Sequence, residues 1–326
     1  MIGIGIIGCG NIGKKRAAHL ADARLVACAD IRRDAAEALA AASPGAAVVP
    51  EWTDLIRRTD VQAVIVSTTN DILCEATLAA LEAGKSVLVE KPAGRSVGEL
   101  DRMIEAEQRT GGRVRVGFNH RYHPALLKAR DLVDAGDLGP LMFIRGRYGH
   151  GGRVGYDREW RADPVRSGGG ELMDQGVHLI DLSRWFLGDF SEIGGFARTY
   201  FWDMPVDDNA FLLLQTPGRQ TAMLHVSCTE WKNLFSLEIY GRDGKLHVEG
   251  LGGSYGVERL SFYRMRPEMG PPETTIWEYP GADLSWKTEF AAFLEDLRLH
   301  RSPDPGLREA RAALDVVRRI YAGDIP

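Results

Sequence analysis

The stretch "IGIGIIGCGNIG", residues 2–13, decides how the chain is read. An uncharged run ends in Gly8, Gly10 and Gly13, spaced as G-x-G-x-x-G. Continuous apolar runs suit strands buried on both faces, as in a parallel sheet. A lone glycine pattern is weak, but here its surroundings fit. Residues 11–21 read as a helix, and Asp30 closes the next apolar run, "RLVACAD" (24–30). An acidic residue about 20 positions after the glycines completes a dinucleotide-binding turn. There Gly8 permits the tight bend, Gly10 lets a pyrophosphate touch the backbone, and Gly13 lets helix and strand pack closely. The helix start at Asn11 and Ile12 presents free N–H groups and a positive dipole end to the phosphates. Asp30, with Ile31 beside it, is the expected acceptor for the ribose hydroxyls of NAD. Arg32 and Arg33 lie just beyond and would favour a 2′-phosphate, which keeps NADP as the alternative.

Outward from this turn the pattern repeats. Apolar runs at 61–67, 86–90 and 113–118 alternate with helical stretches at 33–42, 70–83 and 96–110, and Gly84 stands where a helix C-cap belongs. Alternation of this kind predicts a doubly wound parallel α/β sheet over residues 1–120. From about residue 121 the grammar changes. "FSLEIYG" (235–241) alternates apolar and polar residues, and Asp-Gly in "GRDGKLHVEG" and Pro-Gly in "LLLQTPGRQTAML" read as hairpin turns. Residues 121–326 are therefore expected to form an α/β domain on a mainly antiparallel sheet, with a loop over "RMRPEMGPPE" (264–273). Two closing helices carry Trp286, Phe290, Phe293 and Leu297, then Leu307, Ala310, Leu314 and Val317, at helical spacing. These helices are free to pack back on the first domain.

Among 326 residues, 40 Lys and Arg face 45 Asp and Glu, a net charge of −5. This balance gives no electrostatic reason to bind nucleic acid or an anionic membrane. Cys9, Cys28, Cys74 and Cys228 form no C-x-x-C pair and read as buried free thiols of a reducing compartment. The first apolar run is short and its positive charges follow it, the wrong order for a secretory leader. No apolar stretch approaches the ~20 residues of a membrane span, so a cytoplasmic protein is expected.

The chemistry-bearing stretch is "GGGELMDQGVHLID" (168–181). If it is helical, Asp174 and His178 share one face, behind glycines whose backbone has something to approach. A His near neutrality suits a base, and a carboxylate one turn away can orient it and stabilise its cation. No third or fourth ligand recurs nearby, so no metal is expected. The strand "SVLVE" ends in "EKP" (90–92), which places Lys91 at the strand edge where ligands of parallel sheets bind.

Together GCGNIG, "TTN" (68–70), "LAALEAGKSVLVEKP" (78–92), "VGFNHRYHP" (116–124) and GGGELMDQGVHLID resemble the Gfo/Idh/MocA oxidoreductase family. The resemblance implies an N-terminal Rossmann domain, a C-terminal domain with a large open antiparallel sheet, NAD or NADP, and hydride transfer at a secondary alcohol or its ketone. It implies catalytic roles for Lys91, Asp174 and His178. It places Ser67, Thr68, Thr69, Asn70, Glu90, Lys91, Asn119, Arg121, Trp160 and Arg161 near the cofactor. Thr69 and Leu73 depart from the family's T-P-N turn and the His three residues on, so that contact is expected through backbone and Asn70.

The polar, aromatic segment "YGHGGRVGYDREWR" (148–161) offers Tyr148, His150, Arg153, Tyr156 and Asp157 to a polyhydroxylated ring, and Trp231 offers a stacking face. Lys91, Asp174 and His178 complete that expected substrate set. Arg153 or Arg166 would instead suit a nucleotide-linked sugar. The expected activity is an NAD(P)-dependent sugar or cyclitol dehydrogenase or reductase. An NAD-dependent glycosidase of the same fold and a non-catalytic NAD-binding regulator are the alternatives. The resemblance also implies a homodimer or homotetramer built on the C-terminal sheet.

Overall fold

The computed structural model describes residues 1–268 and 270–323. Two compact units emerge, one of residues 1–118 with 286–314, the other of residues 119–285 with the segment beginning at Asp315. In the first, β1 (Gly3–Ile7), α1 (Asn11–Ala17), β2 (Arg24–Ala29), α2 (Arg33–Ala41), β3 (Ala47–Val48), α3 (Trp52–Arg57), β4 (Ala63–Val66), α4 (Asn70–Glu82), β5 (Ser86–Glu90), α5 (Val97–Thr110) and β6 (Val114–Gly117) alternate without interruption. The sheet is wholly parallel, ordered β3-β2-β1-β4-β5-β6. Its order reverses between β1 and β4, so the turns after these strands open where doubly wound sheets bind ligands. The strands read from apolar runs are present. The short β3 and α3 were not anticipated, because two half-buried residues and a six-residue helix leave no periodic signal.

The second unit holds an eight-stranded sheet ordered β14-β13-β12-β11-β7-β10-β9-β8. Its strands are β7 (Leu141–Gly149), β8 (Glu192–Arg198), β9 (Asn209–Gln215), β10 (Thr221–Ser227), β11 (Leu234–Gly241), β12 (Gly244–Glu249), β13 (Glu258–Arg264) and β14 (Glu273–Tyr279). Only β7 and β10 pair in parallel, so the sheet is mainly antiparallel. The helices are α6 (Pro124–Asp134), α7 (Pro164–Ser167) and α8 (Val177–Leu187). In β11, Phe235, Leu237 and Ile239 are buried while Ser236, Glu238 and Tyr240 are half-buried, which is the alternation of the sequence. The β11–β12 hairpin turns on Arg242 and Asp243, with Gly244 already in β12, so the turn lies one residue earlier than Asp-Gly suggests. The described residues between β13 and β14 form no strand or helix, and Met269 of that expected loop lies outside the described residues.

Two helices close the chain, α9 (Ser285–Leu299) and α10 (Leu307–Ala322). Phe290, Phe293 and Leu294 of α9 pack with Ile4, Ile6, Cys28, Ile65 and Leu88 of the first sheet. All four cysteines are free and buried. No helix among the described residues is long and apolar enough to cross a membrane.

A buried ion triad ties α1 to β5 and α9. Arg16, 1% exposed, bonds Glu90 through Nε at 2.7 Å and pairs with Glu289, while Trp286 covers its guanidinium at 4.5 Å. Burial raises the Glu289 carboxyl, and Arg16 partly offsets this. Breaking a buried pair strands uncompensated charge. Arg16→Met leaves two buried carboxylates and should lower unfolding stability by about 3–5 kcal/mol. Denaturant titration checks this, and a loss below about 1 kcal/mol, the worth of a surface pair, would contradict it.

Candidate active site

In the first unit each glycine of the turn meets a different constraint. Gly8 adopts φ +94°, and a Cβ there would fall 2.5 Å from the Ser67 carbonyl oxygen. A Cβ on Gly13 would fall 2.1 Å from the Gly8 carbonyl oxygen, so α1 seats on the end of β1 only without a side chain. A Cβ on Gly10 meets nothing within 4 Å, leaving the space where phosphate oxygens approach the backbone. No side chain caps α1. The Asp30 carboxylate accepts the Cys9 N–H at 2.6 Å and the Arg32 N–H at 2.8 Å, which locks it beside the glycine turn. Ile31 and Arg32 are exposed next to it. Beyond β4, the Ser67 hydroxyl donates to the Gly8 carbonyl at 2.8 Å, the Thr68 hydroxyl to the Thr69 carbonyl at 3.1 Å, and the Thr69 hydroxyl to Asp71 at 2.5 Å. Buried Asn70 begins α4. These groups fit a dinucleotide. Lys91, half-buried, follows β5 at its C-terminal end. Glu90 is spent on Arg16, so its carboxylate holds α1 in place.

In the second unit the segment carrying Asp174 and His178 is helical, but its first turn, Leu172–Gly176, is a wider π-turn that runs into α8. Such turns recur at functional sites. The glycines before it serve the protein's own packing. A Cβ on Gly169 would meet the Tyr321 hydroxyl at 2.4 Å, and one on Gly170 the Asp207 carbonyl oxygen at 2.0 Å. The Asp207 carboxylate accepts from Gly170 N–H at 3.0 Å, Leu172 N–H at 2.8 Å and the Tyr321 hydroxyl at 2.6 Å. The sequence suggested a backbone with something to approach. What it approaches is a buried carboxylate and the backbone beside it.

Around this turn the side chains converge. Arg161 Nε donates to Asp174 at 2.9 Å and stacks over Trp160 at 4.7 Å, and the Asp174 charge raises the Arg161 pKa. Buried His178 stacks on His120 with ring centroids 3.8 Å apart and 24° between planes. Tyr148 meets His120 edge-on at 5.1 Å and has the Tyr255 ring 5.4 Å away. Burial raises the Tyr148 phenol well above its ordinary range, as do the Asp174 and Glu171 charges. His150 Nδ1 accepts the Gly152 N–H at 3.0 Å, which leaves the proton on Nε2, 3.8 Å from Glu171. Burial lowers the His150 pKa, and the Asp174 charge opposes it. Tyr156 lies edge-on to His150 at 5.4 Å.

The structure thus gathers Tyr148, His150, Tyr156, Arg161, Asp174 and His178. The other expected residues make contacts of their own, with the Arg153 guanidinium 5.9 Å from the Tyr156 ring. Arg153 is exposed and paired with Glu159 at 2.5 Å, and Asp157 lies on the short turn Tyr156–Arg158. Trp231 is 65% exposed, at φ +58°, with Phe201 edge-on at 4.7 Å. Arg121 is buried in a bidentate pair with Asp181, at 2.8 and 2.7 Å, so it fastens its own segment to α8. Asn119 donates to the Ser285 hydroxyl at 2.9 Å. Among the described residues no group of three or more His, Cys, Asp or Glu is placed to hold a metal.

Residues 2–118 match the NAD-binding Rossmann fold of an oxidoreductase family, and residues 126–247 match the GFO/IDH/MocA C-terminal domain. An inositol 2-dehydrogenase of Saccharopolyspora erythraea is 32% identical over 296 residues, 86% of this chain and 76% of that protein. The chain belongs to the Gfo/Idh/MocA oxidoreductase family. An inositol 2-dehydrogenase of Gluconacetobacter diazotrophicus is 34% identical over 192 residues, 57% of this chain, and the match spans about half of that relative, 54%. A levoglucosan dehydrogenase solved with NADH and levoglucosan superposes with a TM-score of 0.89 over 99% of this chain and 98% of that one, at 20% identity. At that identity the shared property is the fold.

Within this Gfo/Idh/MocA chain, sequence reasoning missed His120, Glu171 and Tyr255. His120 sat inside the quoted "NHRYHP" between two residues assigned to the cofactor. Periodicity carries no signal for a ring that faces another segment 58 positions away. The open space at Gly10 gives a test that separates binding from folding. Gly10→Ala should leave the melting temperature unchanged and weaken NAD at least about tenfold, because its methyl enters the phosphate space. Calorimetric titration with NAD measures this, and unaltered affinity would move the phosphates off Gly10.

Proposed function

We propose that the chain is an NAD-dependent dehydrogenase acting on a secondary alcohol of a sugar or cyclitol. The observation that carries the reading is the His178–His120–Tyr148 cluster beside the Asp174–Arg161 pair, in a chain whose first unit is an NAD-binding Rossmann domain. The resemblance to inositol 2-dehydrogenases supports the substrate class. NAD, when bound, supplies the hydride acceptor. The protein must then take the hydroxyl proton as hydride leaves the carbinol carbon. His178 is assigned that proton. Asp174 stabilises the resulting cation electrostatically, and Arg161 holds the carboxylate in place. Lys91 is assigned the substrate oxygen, where a fixed cation stabilises developing negative charge. His150, Tyr148 and Tyr156 supply donors and acceptors for further hydroxyls. Asp30, fixed by two backbone N–H groups, selects NAD by accepting from the ribose and repelling a 2′-phosphate. Four buried free thiols support a reducing, cytoplasmic setting.

The experiment is a panel of hexoses, inositols and nucleotide-sugars, scored by NAD reduction at 340 nm (~10⁻⁷ M protein upward, so that kcat values near the usual median are visible). In the same assay His178→Asn should lower kcat by roughly 10²–10⁴ with NAD affinity nearly unchanged. Activity within about threefold of wild type would remove His178 from the chemistry.

A second reading is assembly through the eight-stranded sheet. The outer face of the eight-stranded sheet exposes Phe196, Phe211, Leu213 and Met223. They line a groove of about 600 Å³ with Arg145, Arg147 and Glu238. Exposed apolar patches of this kind mark interfaces, and a homo-oligomer built on this face would cover it. Light scattering at micromolar concentration should give a multiple of the chain mass, and Leu213→Glu should reduce it. A monomer mass for the wild type would contradict the assembly.

A further inference from the structure

We infer that His120 is a positioning residue for hydride transfer, acting by holding the His178 ring in plane. The inference rests on the assignment of His178 as the base. A histidine base works only if its lone pair points at the hydroxyl. The imidazole torsion is broad, so something beside the ring must fix its plane. His178 has such a support in the face of His120, centroids 3.8 Å apart and planes 24° from parallel.

His120 is itself held by a directional chain. The Ser285 hydroxyl donates to the Asp283 carboxylate at 2.6 Å, which leaves its lone pairs to accept from Asn119 Nδ2 at 2.9 Å. The amide oxygen of Asn119 is thereby turned toward His120 Nδ1, 3.3 Å away. An amide oxygen only accepts, so Nδ1 carries the proton. One carboxylate thus sets the orientation of a serine, an asparagine and an imidazole in sequence. On the other sides of His120 stand Tyr148, edge-on at 5.1 Å, and His123, edge-on at 5.7 Å. His123 is pinned by Glu258 at 2.9 Å. Phe235 lies 6.0 Å from His120. A ring enclosed in this way has one orientation to offer, and the face it offers is the one His178 lies on. The inference separates the flat face of His120 from its hydrogen bond, and the two can be varied independently.

Three variants decide it, assayed with NAD and the hexose, inositol or nucleotide-sugar that the wild type oxidises fastest. His120→Phe keeps the flat face and loses the bond to Asn119. His120→Gln keeps a donor and loses the ring. His178→Ala removes the supported base. His120→Gln should lose at least about tenfold in kcat, the order expected when a reacting group is misaligned, with KM for both substrates within about twofold. His120→Phe should stay within about threefold of wild type in kcat. Melting curves report whether each variant folds. If His120→Gln does not fold, His120→Leu takes its place, since it fills the site without a flat face, and should lower kcat and not KM. The inference is overturned if the Gln and Phe variants are equally active or equally impaired, or if the loss appears in KM. Wild-type activity in His178→Ala overturns the assignment of the base, and the inference with it. If His178→Ala is inactive while the His120 variants match wild type, the positioning inference alone falls. If no sugar or cyclitol of the panel reduces NAD, the proposed function fails, and this inference with it.

Discussion

The Asp207 carboxylate is the constraint on which the second unit's chemistry depends. It accepts from two backbone N–H groups of the glycine segment and from the Tyr321 hydroxyl. Burial raises its pKa while those bonds pull it down. A buried acceptor without its donors is costly, so the segment cannot leave it freely. Gly170 is the only residue type that fits against the Asp207 backbone, since a Cβ would sit 2.0 Å from a carbonyl oxygen. The π-turn begins at Leu172, immediately after this grip, and sets where Asp174 and His178 emerge. Without the grip the turn has no fixed starting phase, and the side chains that follow would emerge in other directions.

The same device recurs in both units. Buried charge is used to hold chemistry-bearing segments. Arg16 joins α1, which follows the glycine turn, to the end of β5 just before Lys91. Arg121 joins the segment bearing His120 to α8, which bears His178. Pairs of this kind contribute little net stability against an apolar substitute, but losing one partner is expensive. They therefore specify geometry more than they add to stability. Asp30 is held in the same spirit by backbone N–H groups, which fix its carboxylate before any ribose arrives.

The sequence shows the fold class well because the signals are local. Apolar runs became β1, β2, β4, β5 and β6, and the alternation in 235–241 became β11 with its apolar residues inward. Gly8 and Gly13 were legible because a motif ties them to particular contacts, and the structure shows those contacts. What was not legible depends on which surface a side chain meets. Glu90 and Arg121 lie within family motifs read as cofactor contacts, yet both carboxylate and guanidinium are consumed by partners 74 and 60 residues away. Gly169 and Gly170 announced a close approach, but the sequence held no clue that Tyr321 and Asp207 were the surfaces approached. His120 was passed over for the same reason, since stacking on His178 is a property of the packed unit.

The central claim is that this family member moves hydride directly from a carbinol carbon to the nicotinamide. The most direct measurement is the fate of a deuterium on that carbon. Ring-deuterated myo-inositol, or levoglucosan deuterated at its carbinol positions, is incubated with NAD and the chain, and the reduced cofactor is weighed by mass spectrometry. The account predicts that every molecule of NADH formed carries one deuterium and that none of that label reaches water. Unlabelled NADH, or consumption of the sugar with release of label to solvent and no net NADH, would contradict it.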